Sequence, residues 1–160
     1  EAIFRRRSPE TVVFYDINLR PGCYSRDIVH RSLSYTDILK LNDEELDVIA
    51  DMFGLTGDTV PVVEYLMRDY GLSLVVLTKG GRGSEVFTVE EHVDMPLRRN
   101  IECVDTVGAG DAFAAVMAAG YLKKRDIRQT LSAATDFAGR ICGISGAIPD
   151  KRDFYRHLTI

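Results

Sequence analysis

Asp105-Thr106-Val107-Gly108-Ala109-Gly110-Asp111 runs directly into Ala112-Phe113-Ala114-Ala115-Val116-Met117-Ala118-Ala119-Gly120-Tyr121-Leu122. The second stretch is apolar or small throughout, which reads as a helix buried all round. The first is a glycine-punctuated turn that opens this helix. Without a Cβ, its glycines let the backbone turn sharply and let a ligand come close. The first N–H groups of a helix lack internal partners and carry the positive end of the helix dipole. An anion is the natural occupant of such a turn, and a phosphoryl group is the commonest. Asp111 stands at the rim, placed to take a proton from a hydroxyl that attacks phosphorus.

The residues around this turn describe an α/β chain. With 160 residues it is long enough for a real core, and 1–160 reads as a single domain. A formal net charge of −4 offers no basic surface for nucleic acid or an anionic membrane. The one basic run, Arg5-Arg6-Arg7, reads as a solvated helix end. No apolar stretch is long enough to span a bilayer and no signal peptide is visible. Cys23, Cys103 and Cys142 are scattered and odd in number, which fits reduced thiols in a cytoplasm rather than a disulfide frame or zinc site.

In chain order, Thr11–Tyr15 reads as a buried strand. It leads into Asp16-Ile17-Asn18-Leu19-Arg20-Pro21-Gly22, a turn or loop. Ser25 reads as the N-cap of a helix to about Leu33. Asp37–Leu41 is a second strand, followed at once by a helix from Asn42 that Gly54 breaks. Asp58 or Thr59 caps a helix ending at Gly71. Leu74–Leu77 is a third strand running into Thr78-Lys79-Gly80-Gly81-Arg82-Gly83-Ser84. Glu85–Val89 and His92–Met95 alternate as a hairpin would, and Ile101–Val104 reads as a strand. Asp126 caps a helix from Ile127 to about Cys142, which Gly143 and Gly146 end. Pro149-Asp150 starts a last short helix through Phe154 and Leu158.

Strands alternating with helices predict a mainly parallel sheet covered on both faces, a three-layer αβα arrangement. Ligands of such sheets bind beyond the carboxy ends of the strands. Polar or glycine-rich residues follow each strand: Asp16, Asn18 and Arg20; Lys40, Asn42 and Glu45; Thr78, Lys79, Gly80 and Gly83; and Asp105 to Asp111. Parallel strands would bring these four loops to one crest. Arg20 can clamp phosphate oxygens or a sugar acid with paired hydrogen bonds, or sit in a surface salt bridge. Asn42 and Glu45 have capping-box spacing, and a carboxylate near phosphates can also hold magnesium through water. Lys40 can lend charge to phosphates or simply end a strand. His30, His92 and His157 lie outside these groups and read as surface residues.

The turn at 105–111 resembles the D-T-x-G-A-G-D signature of the PfkB, or ribokinase-like, family of carbohydrate kinases, and matches it at all seven positions. Asp16-x-Asn18-x-Arg20 resembles the D-x-N-x-R segment of fructokinases and ketodeoxygluconate kinases. Asn42-x-x-Glu45 and Thr78-Lys79-Gly80 with Gly83 resemble the family's N-x-x-E motif and its nucleotide-phosphate loop. The likeness covers essentially the whole chain but only the later part of the family's sequence, so the chain reads as a carboxy-terminal portion of a ribokinase-like fold.

The resemblance implies ATP-dependent phosphorylation of a sugar hydroxyl, with ATP and Mg²⁺ as cofactors and a monovalent cation such as K⁺ beside them. It implies Asp111 as catalytic base and Gly108, Ala109 and Gly110 as the amide cradle. Thr78, Gly80, Gly83, Lys40, Asn42 and Gly146 would line the nucleotide. Asn18 and Arg20 would meet the substrate and Glu45 the metal. Asp105 would serve the monovalent cation or brace the loop. A cytoplasmic enzyme, a homodimer when full length, and a portion inactive by itself are the matching expectations. Two other readings compete: a nucleotide-binding or regulatory module without catalysis, and a doubly wound domain of unrelated function.

Overall fold

Three strands set the direction of the sheet. In the computed structural model, which describes residues 3–97, 103–149, 152–156 and 158, β1 (Phe14–Asp16), β2 (Ile38–Asn42) and β3 (Leu74–Thr78) pair in parallel. The register puts Asp16 opposite Lys40 and Asn42 opposite Thr78. All three strands therefore end at one edge. β4 (Ser84–Thr88) and β5 (His92–Met95) complete the order β1-β2-β3-β4-β5. The Thr88 N–H donates to the Glu91 carbonyl at 2.8 Å and closes the short connection between them. A link that short joins antiparallel neighbours only. The fold is α/β with a mainly parallel sheet, as expected.

Contacts divide the chain into two compact units. One comprises the residues up to Lys79 with Glu85–His92; the other comprises Gly80–Ser84 with the residues from Val93 onward. In the first unit, α1 (Arg26–Leu33), α2 (Asp43–Phe53) and α3 (Thr59–Tyr70) share a core with one face of the strands. Val29 and Leu33, Leu46 and Ile49, and Val62, Val63 and Leu66 meet Leu39, Leu41, Val75 and Leu77 there. Burying each such side chain contributes about 1.5–3 kcal/mol. The opposite face of β2 and β3, with Ile38, Lys40, Leu74 and Val76, is buried too. Burial on both faces explains why these strands read as unbroken apolar runs rather than alternating ones.

Local chemistry sets the helix ends. The Ser25 side chain accepts from the Ile28 N–H at the start of α1. Asn42 and Glu45 form a complete capping box at α2. Gly54 and Gly71 close α2 and α3 in the left-handed conformation. Asp58 precedes α3 without a side-chain cap bond.

The second unit is built on α4 (Ala109–Leu122) and α5 (Ile127–Cys142), the latter capped by Asp126 through the Gln129 N–H. α4 is not buried all round. Phe113, Val116, Met117 and Gly120 are buried at helical spacing, whereas Ala115 is exposed and Leu122 is 70% exposed. Alanine and glycine carry too little apolar surface to demand burial, so the composition overstated the buried arc. Gly120 is where α4 meets α5: a Cβ there would stand 2.7 Å from Thr130 Oγ1. Gly120→Ala is expected to destabilise the protein by about 1–3 kcal/mol through overpacking, less the helix propensity that alanine adds. Urea unfolding checks this. Adding Thr130→Ala should recover most of the loss, and no recovery would place the cost elsewhere.

Three boundaries differ from expectation. β1 starts at Phe14, not Thr11, because Asp37 diverts the residues before it. The Val13 N–H donates to Asp37 Oδ2 at 2.7 Å, and the Asp37 and Ile38 N–H groups both donate to the Val13 carbonyl. Arg7, at the end of the basic run, donates to the Tyr35 carbonyl and pairs with Asp37 at 3.3 Å. Of the expected strand at 101–104, residues 101 and 102 lie outside the described residues, and Cys103 and Val104 are not in a strand. The Val104 and Asp105 N–H groups turn instead to the Cys142 carbonyl, at 2.8 and 3.2 Å. The last helix is a 3-10 turn, Arg152–Tyr155; Asp150 lies outside the described residues. Among the described residues, no helix is long and apolar enough to cross a membrane.

Candidate active site

In the second unit the turn before α4 is held open by its backbone. Gly108 is the N-cap, with φ 82° in the left-handed region, and no side chain caps the helix. A Cβ at Gly108 would also stand 2.8 Å from the Ala147 Cα. Glycine is required there twice over, by conformation and by space. The Ala112 N–H makes the first helical bond, to the Gly108 carbonyl at 2.9 Å. The amides of Gly110 and Asp111 fall inside the first turn, where the helix itself supplies no acceptor. Asp111 is exposed, on the same turn.

Asp105 braces this turn. Its Oδ1 accepts from the Val107 N–H at 3.0 Å and its Oδ2 from the Gly146 N–H at 3.1 Å. These donors, Val107 first and Gly146 next, hold its carboxyl below the usual carboxylate range, and desolvation opposes them without winning. A depressed pKa in the folded state gives stability that is present above the unfolded value and is lost as pH falls through the folded one. The brace is therefore expected to survive acidification past about pH 3.9, the ordinary aspartate value, and to open below it. Amide shifts of Val107 and Gly146 followed against pH measure this; a midpoint at or above the ordinary value contradicts it.

In the first unit, residues at the common strand edge are tied to one another. Lys40 is buried and its Nζ lies 2.9 Å from both carboxylate oxygens of Asp16. Its charge is thus directed at a neighbouring strand. Glu45 is half-buried and does more than cap α2. Its Oε2 accepts from the Asn42 N–H at 2.8 Å, and its Oε1 accepts from the Leu19 N–H at 2.9 Å. Leu19 lies between Asn18 and Arg20, both exposed. Asn18 takes φ 41°, a left-handed conformation that asparagine tolerates better than most residues. Thr78 Oγ1 donates to the Leu41 carbonyl at 3.4 Å, and Lys79 pairs with Glu85 at 2.6 Å. Asp16, Asn18, Arg20, Asn42, Glu45 and Thr78 are thus gathered at one end of this unit's strands.

Gly80 and Gly83 differ from each other. Around Gly80 a Cβ would meet open space, whereas at Gly83, with φ 101°, it would strike the Pro96 Cα at 2.8 Å. Gly83 is a glycine because its own chain passes close by. His30 bonds to Tyr70 and His92 to Glu85, while His157 lies outside the described residues. Among the described residues no three His, Cys, Asp or Glu side chains form a metal-binding group.

Comparison with known proteins adds the decisive observation: the family described as pfkB family carbohydrate kinase matches residues 3–153. The chain belongs to the pfkB family. This pfkB chain is 38% identical over 120 residues to a fructokinase of Rhizobium leguminosarum bv. trifolii, covering 72% of the chain and 35% of that enzyme. It also superposes on the ribokinase of Thermotoga maritima, with a TM-score of 0.77 at 22% identity over 96% of this chain and 50% of that one. A fructokinase of Vibrio cholerae O395, solved with fructose, ADP and potassium ion, gives a TM-score of 0.74 at 23% identity, covering 92% of this chain and 50% of that one. The pfkB chain thus spans a third to a half of the length of these relatives, and its fold is ribokinase-like. What the motifs did not reveal is the bond from Glu45 to Leu19, because its partner lies 26 residues away and only a backbone N–H takes part.

Proposed function

We propose that this chain carries the nucleotide-phosphate and proton-transfer end of an ATP-dependent carbohydrate kinase of fructokinase type, with residues 1–160 acting as one functional domain. One observation supports the reading above the others: a helix opened by glycine, left without a side-chain cap, and carrying an exposed carboxylate in its first turn. The amides of Gly110 and Asp111 and the helix dipole suit a terminal phosphoryl group. Gly108 and Ala109 shape that cradle. Asp111 accepts the proton of the attacking sugar hydroxyl. Asp105 keeps the cradle in shape and, with Gly146, would serve a monovalent cation; the Vibrio cholerae fructokinase of similar fold was solved with potassium ion bound.

The residues of the first unit, taken by themselves, suit roles of the same kind. Arg20 and Asn18 are exposed and meet the sugar or its phosphate. Thr78, Gly80 and Gly83 follow the nucleotide phosphates. Lys40 and Asn42 support the strand ends, the first through Asp16 and the second through Glu45. The donor set here is made of oxygens, which suits magnesium, and both Glu45 oxygens already accept main-chain N–H groups. Glu45 would therefore hold the ion through water rather than by replacing its hydration shell. When bound, magnesium supplies charge neutralisation between the phosphates. Positioning and electrostatics by the residues named supply the rest.

The 38% identity to a fructokinase favours fructose over ribose or a sugar acid, while Asp16-x-Asn18-x-Arg20 suits fructose and a ketodeoxy sugar acid alike. The same reading makes the enzyme cytoplasmic, with a homodimer at full length. Coupled ADP release by the full-length protein against a panel of fructose, ribose, a ketodeoxy sugar acid and nucleosides tests it. Product with fructose in excess of the others is expected. An ATP-dependent thermal shift without product from any acceptor would leave a binding module instead.

A further inference from the structure

We propose that Cys103 and Cys142 are a reversible disulfide-forming pair whose closure resets the loop that carries Asp105 and Gly108. The two residues are 39 apart in sequence and adjacent in the second unit. The N–H of Val104, in the peptide that follows Cys103, donates to the Cys142 carbonyl at 2.8 Å, and the Asp105 N–H joins the same oxygen at 3.2 Å. That link ties the main chain beside Cys103 to the main chain of Cys142, and a disulfide between them requires their Cα atoms to stand about 4.4–6.8 Å apart. Burial first, and then the neighbouring Cys103, push the Cys142 thiol up. Cys103 is exposed and Cys142 half-buried. Cys23, also exposed, belongs to the other unit.

The chemistry is thiol–disulfide exchange with a low-molecular-weight disulfide RSSR of the oxidised-glutathione class. The exposed Cys103 loses its proton and its thiolate attacks one sulfur; the RS–SR bond breaks and one RS⁻ leaves, taking up a proton as RSH. The Cys142 thiolate then attacks the Cys103 sulfur of the mixed disulfide, and the second RS⁻ leaves and is protonated in the same way. The two cysteines lose two electrons and two protons, and RSSR becomes two RSH. The new S–S bond is about 2.05 Å, far shorter than a contact between two thiols. Closing it draws segment 103–105 towards residue 142, and both flank the Asp105 brace. Thiols in a reducing compartment stay open until the low-molecular-weight thiol pool is oxidised.

The test needs no catalytic activity, so it is independent of the kinase reading. The chain with Cys23→Ser is incubated with oxidised glutathione, and amide hydrogen exchange is followed. The expected product is a cross-link between tryptic peptides 100–123 and 141–151. Exchange at Val107 and Gly146 should change by about threefold or more, with full reversal by dithiothreitol. Cys103→Ser, at an exposed position, and Cys142→Ser should each abolish both effects. Glutathione mixed disulfides without the cross-link would overturn the proposal. So would a cross-link that leaves exchange at Val107 and Gly146 unchanged.

Discussion

In the full-length enzyme, Asp111→Asn is expected to lower the turnover number by about 10²–10⁴-fold, the range over which general bases contribute, while leaving ATP-dependent thermal stabilisation in place. Asparagine has nearly the same size and fits the exposed first turn of α4, so the cradle of Gly110 and Asp111 amides persists. What it lacks is an oxygen able to take the hydroxyl proton. Asp111→Glu keeps that oxygen but moves it by one methylene, and should retain more activity than the asparagine variant. Steady-state kinetics beside nucleotide thermal shifts separate the two roles. Turnover within a few-fold of the parent in Asp111→Asn would remove this residue from the mechanism. Loss of the ATP shift would instead make Asp111 part of nucleotide binding.

The second large effect is expected at Gly108→Ala. Alanine at φ 82° costs about 1–2 kcal/mol in backbone strain, and its Cβ would press on Ala147, where relief by local shifts costs about 1–3 kcal/mol more. Any shift of the turn also displaces the amides that follow it. Thermal unfolding should show the loss, and the nucleotide-dependent shift should shrink with it. The double variant with Ala147→Gly divides the two causes, because it frees the Cβ contact and leaves φ untouched. Stability is expected to return in part and nucleotide response to remain weak. Complete recovery of both would mean that crowding alone dictates glycine at this position.

Much of the architecture was legible because single residues govern helix ends. Ser25, Asn42 with Glu45, and Asp126 each make the cap bond that their residue type promised. Strands β2 and β3 announced themselves as apolar runs because both their faces are buried. The extent of β1 was not legible, since one distant side chain, Asp37, decides where the ladder begins. Nor was the exposure of Ala115 and Leu122, which a residue-type pattern cannot separate from buried positions. The candidate site residues were picked out by their motifs, but their mutual bonds were not legible: Lys40 to Asp16, Asp105 to Gly146 and Glu45 to Leu19 each join positions far apart along the chain.

The Glu45 carboxylate, gripping the Leu19 and Asn42 amides with separate oxygens, fuses the exits of β1 and β2 into one stiff joint. An aspartate, a methylene shorter, could keep one grip only by surrendering the other. Substitution at position 45 is thereby limited by the span of a side chain, even before any metal or phosphate imposes a demand of its own.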